Sequence, residues 1–242
     1  MQKRSKKLIA GSAVMALGLG VAGLQSPAAH AATPKAADEV STQSNTTTQS
    51  NTSGGNGLGL GFFNHGSQSN VSHGGNVDQS NSTSGKGIGN HAKQGNVNRG
   101  GSGSQSNENQ GNGIVNGGTQ GNLNTGGNSN QTNTHKGNGI LNGGAQGNKN
   151  TNGEATQTND HNGNGIANGG AQGNINKGDK ANQTNRHDGR GIANGGWQDN
   201  VNKKGEADQV NTHEGKGVLN GGAQYNKNDG GKASQENHHK GN

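Results

Sequence analysis

The chain contains no cysteine. That excludes a disulfide framework, a thiolate metal site and a lipid-modified cysteine at a cleavage point. Hydrophobic residues make up 21% and aromatics 2% of 242 residues, so a length that could hold one or two domains lacks the means for an oily core. Burial at roughly 25 cal/mol per Å² must offset about 1 to 2 kcal/mol of backbone entropy per residue, and this composition cannot do so by hydrophobic means alone. A dense basic stripe interleaved with aromatics is lacking too. Phe62, Phe63, Trp197 and Tyr225 are too few to stack on bases, and no nucleic-acid partner is expected.

Present instead are 50 glycines and an abundance of asparagine and glutamine, a composition whose default is disorder. The N-terminus is different. Lys3, Arg4, Lys6 and Lys7 precede the apolar run LIAGSAVMALGLGVAGL, which ends near Ala29-His30-Ala31. This reads as a secretory signal peptide over residues 1–31, with a mature chain that starts near Ala32, stays off the membrane and lies outside the cytoplasm. Its removal takes four of the 20 basic residues and none of the 14 acidic ones, leaving 16 against 14, or +2. Residues 32–58 are a low-complexity, flexible leader, in which QSNTTTQSNTS echoes a pattern that follows.

From Gly59 the sequence repeats every 26 residues without a gap, with copies starting at Gly59, Gly85, Gly111, Gly137, Gly163, Gly189 and Gly215. The seven copies fill 59–240, and Gly241-Asn242 starts an eighth. Seven positions never vary: the first glycine, the glycine two later, an asparagine and two Gln-x-Asn pairs. Another is always apolar: Phe62, Ile88, Ile114, Ile140, Ile166, Ile192 and Val218.

A period of this length signals a solenoid, and the pattern inside it alternates by two. Ile114, Asn116, Gly118, Gln120, Asn122 and Asn124 share one parity, and Ala155, Gln157, Asn159 and His161 share one in the second half of the next copy. Each copy therefore predicts two strand-like arms, separated by turn material such as Thr151-Asn152-Gly153 and Asn162-Gly163-Asn164-Gly165. Stacked at about 4.8 Å, each fixed residue falls over its counterpart. The expected fold is an all-β, two-arm β-solenoid, with a disordered repeat as the alternative.

Stacking turns the invariant amides into columns. Asn116, Asn142, Asn168, Asn194 and Asn220 form the first. The first Gln-x-Asn pair gives Gln120, Gln146, Gln172, Gln198 and Gln224 beside Asn122, Asn148, Asn174, Asn200 and Asn226. The second gives Gln131, Gln157, Gln183, Gln209 and Gln235 beside Asn133, Asn159, Asn185, Asn211 and Asn237. In such a ladder each amide donates to the next, so asparagine and glutamine are buried without the several kcal/mol penalty of an unpaired amide. The outward-parity position holds Val71, Val97, Leu123, Lys149, Ile175, Val201 and Lys227, and this difference between the faces is what argues for order.

With its Gln-x-Asn pairs, Gly-x-Gly arcs and signal peptide, the array resembles the repeats of curlin, the amyloid subunit of bacterial curli fibres. The resemblance covers 59–242, although here the arc glycines follow the second glutamine by six and eight positions, as in Gln131, Gly137 and Gly139. It implies an extracellular fibre former of a biofilm matrix or cell-surface layer, serving adhesion or coating. The implied partner is the protein itself, with a nucleating surface protein or cell-wall polymer as a further one.

Histidines recur at His135, His161, His187, His213 and His239, with Thr83 and Asn109 at the equivalent places earlier. Imidazoles about 5 Å apart are a candidate site for Zn²⁺, Cu²⁺ or Ni²⁺, or a pH switch. The plainer expectation is that they cap the second arm at a solvated turn.

No catalytic motif is present, neither a G-x-S-x-G elbow nor a GxxxxGK[ST] loop, so no enzymatic activity and no cofactor is expected. A soluble solenoid binding ice, carbohydrate or metal, or a disordered wall spacer, are the alternative functions. Against an ice-binding threonine array, the position after the second glutamine decays to Val210 and Glu236.

Overall fold

The computed structural model describes residues 39–43, 47–56 and 63–241; the signal peptide read at 1–31 lies outside them. A 26-residue unit with a glycine-marked turn at each end of its arms can only bury its amides against the copy before and after it. The chain accordingly winds into a β-solenoid, with no helix among the described residues.

The strands are β1 (Glu39–Gln43), β2 (Thr47–Asn56), β3 (Phe63–Ser72), β4 (Val77–Asn98), β5 (Gly103–Asn124), β6 (Ser129–Asn150), β7 (Glu154–Asn176), β8 (Lys180–Asn202), β9 (Glu206–Asn220), β10 (Ala223–Asn228) and β11 (Ala233–Gly241). Every pairing is parallel, and from β3 onward each residue lies over the one 26 positions away, as in Gln131 over Gln157 and Asn148 over Asn174. Each of β4 to β8 runs through both arms of a rung. Successive rungs are joined at turns where glycine takes up a left-handed conformation, with φ of 72° at Gly153 and 74° at Gly205.

The two arms face each other across a core one layer of amides thick. Ala155, Gln157, Asn159, His161 and Gly163 point inward from one arm of β7, and Asn168, Gln172, Asn174 and Asn176 from the other. The parity changes between them, and this corrects the expectation that the invariably apolar position shares the inner face. Ile114, Ile140, Ile166 and Ile192 are 43 to 50% exposed. The cause is a corner: the inter-rung pairing passes from Gly139–Gly165 to Leu141–Ala167 and skips the isoleucine between. At that corner Gly139 and Gly191 have φ of 156° and 153°, open to glycine and strained for any side chain. Both residues after the glycine therefore face out.

Part of the leader, residues 39–43 and 47–56, also enters the sheet. Residues of β2 pair with β4 so that Gln49 lies over Gln79 and Asn51 over Asn81, and β1 pairs with β3. The triplet Gln49-Ser50-Asn51 takes the register of the second Gln-x-Asn pair, whereas β1 sets Glu39 over Gln68 and Gln43 over Ser72. Trp197 and Tyr225, each 43% exposed, lie on the outside of the stack.

Candidate functional site

The amide columns read from the sequence are continuous hydrogen-bonded ladders. Asn116 donates to Asn142, Asn142 to Asn168, Asn168 to Asn194 and Asn194 to Asn220, each at 2.8 Å. Asn122, Asn148, Asn174, Asn200 and Asn226 are linked in the same direction at 2.9 to 3.1 Å. So are Asn133, Asn159, Asn185, Asn211 and Asn237, at 2.9 to 3.0 Å.

The glutamines run the other way. Gln224 donates to Gln198, and so on down through Gln172, Gln146 and Gln120, at 2.9 to 3.0 Å. Likewise Gln235 donates to Gln209, Gln209 to Gln183, Gln183 to Gln157 and Gln157 to Gln131, at 2.6 to 2.9 Å. Asparagine ladders thus donate toward the C-terminal rung and glutamine ladders toward the N-terminal rung.

Each amide of the Gln-x-Asn columns has a second proton that ties the two arms together, whereas Asn142 and Asn168 turn theirs to corner carbonyls. Gln146 donates to the carbonyl of Asp160 at 2.9 Å and Gln157 to that of Ile175 at 3.1 Å. Asn148 donates to the carbonyl of Thr158 at 2.9 Å and to Asn159 Oδ1 at 3.1 Å. The side chains that replace an oily core therefore bond along the axis and across it. Within the inner rungs they are fully buried: Gln131, Asn133, Gln157 and Asn159 have no exposed surface. In the last described rung Gln235 and Asn237 are exposed.

One ladder escaped the sequence reading. Asn98, Asn124, Asn150, Asn176, Asn202 and Asn228 are linked at 2.8 to 3.0 Å. The first copy has Ser72 there, so the position failed a test of strict identity. Its parity, two residues beyond the Asn of the first Gln-x-Asn pair, was the available signal.

The histidines are not caps at a solvated turn, and that expectation is corrected. His135, His161, His187 and His213 are 1 to 2% exposed and stack face to face with centroids 4.7 to 4.9 Å apart. His239, in the exposed last strand, stacks on His213 at 4.8 Å. Their parity carries them inward with Gln157 and Asn159, since the turn comes only after them. Above His135 the column begins with Asn109, whose Nδ2 lies 3.1 Å from His135 Nδ1.

Burial, and then repulsion from neighbouring imidazoles, pushes His135 and His187 down to about 4 and lowers His161 and His213 as well. Lowered pKa values keep these four imidazoles neutral at pH 7. The Nε2 atoms of His135, His161, His187 and His213 are buried without a hydrogen-bond partner among the described residues.

One metal ion bound to two imidazoles at about 2.1 Å needs their nitrogens within about 4.2 Å. Parallel rings at 4.7 to 4.9 Å hold equivalent nitrogens farther apart than that, and their lone pairs run parallel. The stack as it stands offers an ion one nitrogen at a time, and no group of three or more ligating side chains occurs among the described residues.

Outside, one column of charges alternates in sign, whereas Arg190 lies over Lys216 and Asp188 over Glu214. Lys180 lies between Glu154 and Glu206, with Lys180 Nζ 3.9 Å from Glu154. Both side chains are exposed, so the pair contributes little. No family model matches the chain, and neither a curated protein nor a solved structure does.

Proposed function

We propose that the chain is a secreted, non-enzymatic structural protein that assembles head to tail into amyloid-like fibres of a biofilm matrix or cell-surface layer, as its curlin-like repeats imply. The observation that carries this reading is the constant polarity of the ladders. Asparagine columns donate toward one end of the solenoid and glutamine columns toward the other.

A rung at the C-terminal end therefore offers asparagine donors and glutamine acceptors, and one at the N-terminal end offers the complement. A second copy stacked in the same direction matches the columns headed by Gln49 and Asn51, whereas an inverted copy sets donor against donor. The contact is heterologous and open, which generates filaments instead of closed rings. The parallel backbone adds the same preference: β11 (Ala233–Gly241) pairs parallel with β9, and a strand added in that register continues the sheet. The principal partner is the protein itself, with a nucleating surface protein or a cell-wall polymer starting growth.

The test is diffraction from aligned sediment of the chain lacking residues 1–31, after agitation at neutral pH. Reflections near 4.7 and 10 Å are expected. A chain that stays soluble at high concentration, with no such reflections, would overturn the proposal.

A further inference from the structure

The corner residues leave the solenoid with an apolar flank that the fibre axis does not use. Ile140 and Leu141, 43 and 47% exposed, stand side by side on it, and the same pair of positions recurs in every rung through Val218 and Leu219, 78 and 64% exposed. Beside them runs a groove of about 720 Å³, spanning the rungs from Val115 to Gly221. Glycines such as Gly143 and Gly169 and alanines at 167 and 193 line it, and none of its lining residues is charged. A ridge of isoleucine thus lies next to an uncharged trough in which Val115, Leu141 and Leu219 join the glycines, alanines and asparagines. An exposed apolar strip of this length exceeds what monomeric proteins ordinarily show.

We propose that this flank pairs two copies of the chain side by side, the isoleucine ridge of each seated in the groove of the other. Three features select a second copy as the occupant. The first is commensurability: the rungs, read from the histidine stack, repeat every 4.7 to 4.9 Å, and another solenoid of this sequence has the same repeat and stays in register over its whole length.

The second is self-complementarity. With a two-fold axis parallel to the solenoid axis, ridge meets groove and groove meets ridge in one isologous contact. The third is size. The eight exposed aliphatic side chains from Ile114 to Leu219 offer on the order of 800 Å², the area each partner contributes to a standard interface. The inference rests on the fold and not on head-to-tail assembly, so the two stand or fall separately.

Sedimentation of the chain lacking residues 1–31, at low concentration before any fibre forms, reads the pairing directly, and mass per length reads it in fibres. A dimer, or fibres with two chains per axial repeat, is expected. Ile140→Lys with Ile166→Lys places two charges in the dry contact and should weaken the pair on the order of a hundredfold or more, giving monomers or single filaments. These side chains face solvent in one copy, so circular dichroism should show the strand content unchanged. A second variant, Ala167→Glu with Ala193→Glu, charges the groove and should do the same. A monomeric wild type with single-chain fibres, or paired variants, would overturn the proposal. Loss of fibres with pairing retained would instead count against head-to-tail assembly alone.

Discussion

The imidazoles of His161 and His187 lie face to face, with centroids 4.7 Å apart and planes within 3°. Such a stack tolerates neutral rings and resists charged ones. Because burial lowers the folded-state pKa of His135 and His187 to about 4 from 6.5, the unfolded chain binds more protons between those values. Stability is then fully present above about pH 6.5 and is lost as pH falls toward 4, by about 1.4 kcal/mol per pH unit for each such histidine. Denaturant midpoints should be flat from pH 8 to 7 and fall steeply below 6.5. His161→Asn with His187→Asn, which copies the Asn109 solution, should flatten the curve. A wild-type midpoint that does not change between pH 7 and 4.5 would contradict the buried column.

The core amides are donors that a carboxylate cannot replace. Gln146 donates to Gln120 Oε1 and the Asp160 carbonyl, and Gln172 to Gln146 Oε1 and the Arg186 carbonyl. Gln146→Glu with Gln172→Glu removes these donors and sets two acidic groups one above the other. Each buried carbonyl left unpaired costs about 1 to 3 kcal/mol, and ionised carboxylates in contact add to that. At neutral pH the double variant should lose stability and assemble slowly or not at all. Assembly kinetics equal to wild type would sink the ladder as the source of order.

The ladder through Asn176 should matter as much as those of the Gln-x-Asn pairs. Asn176 accepts from Asn150 at 3.0 Å and from the Gly178 amide at 3.1 Å, and donates to Asn202 at 2.9 Å. Asn176→Ala unpairs a buried donor and acceptor along the axis and a turn amide, at about 1 to 3 kcal/mol for each buried group. The urea midpoint should drop clearly, with the largest gain in hydrogen exchange at the 176–180 turn. Exchange unchanged there would mean that the turn is held without its asparagine.

Alternation of period two was enough to place Gln120, Asn122, Gln157, Asn159 and even His161 inside, because a strand admits only two directions for a side chain. It failed at Ile114, where a corner breaks the alternation and nothing local marks which of two adjacent residues loses its pairing. Burial of the histidines was legible from their parity but ran against the usual exposure of imidazole. Invariance proved too strict a filter for the Asn98 column, since a ladder needs only neighbouring copies to match. Ladder polarity was not legible at all, because the direction of an amide chain is a property of the assembled stack.

Glycine at the start of each copy answers to the asparagine five residues later. A Cβ at Gly163 would meet Asn168 Oδ1 at 2.7 Å and its Cβ at 2.8 Å, and that asparagine holds the bonds to Asn142 and Asn194. Gly163→Ala must displace Asn168 or the strand, at a cost of about 1 to 3 kcal/mol for overpacking and more if the ladder breaks. Gly173 is the contrast, since a Cβ there meets only the Asp199 carbonyl oxygen at 3.9 Å. Gly173→Ala should be neutral, or stabilise by up to about 1 kcal/mol through the unfolded chain. Thermal melts of the two variants side by side decide it. Equal melting temperatures would mean that the glycine is retained for some reason other than the close approach of Asn168.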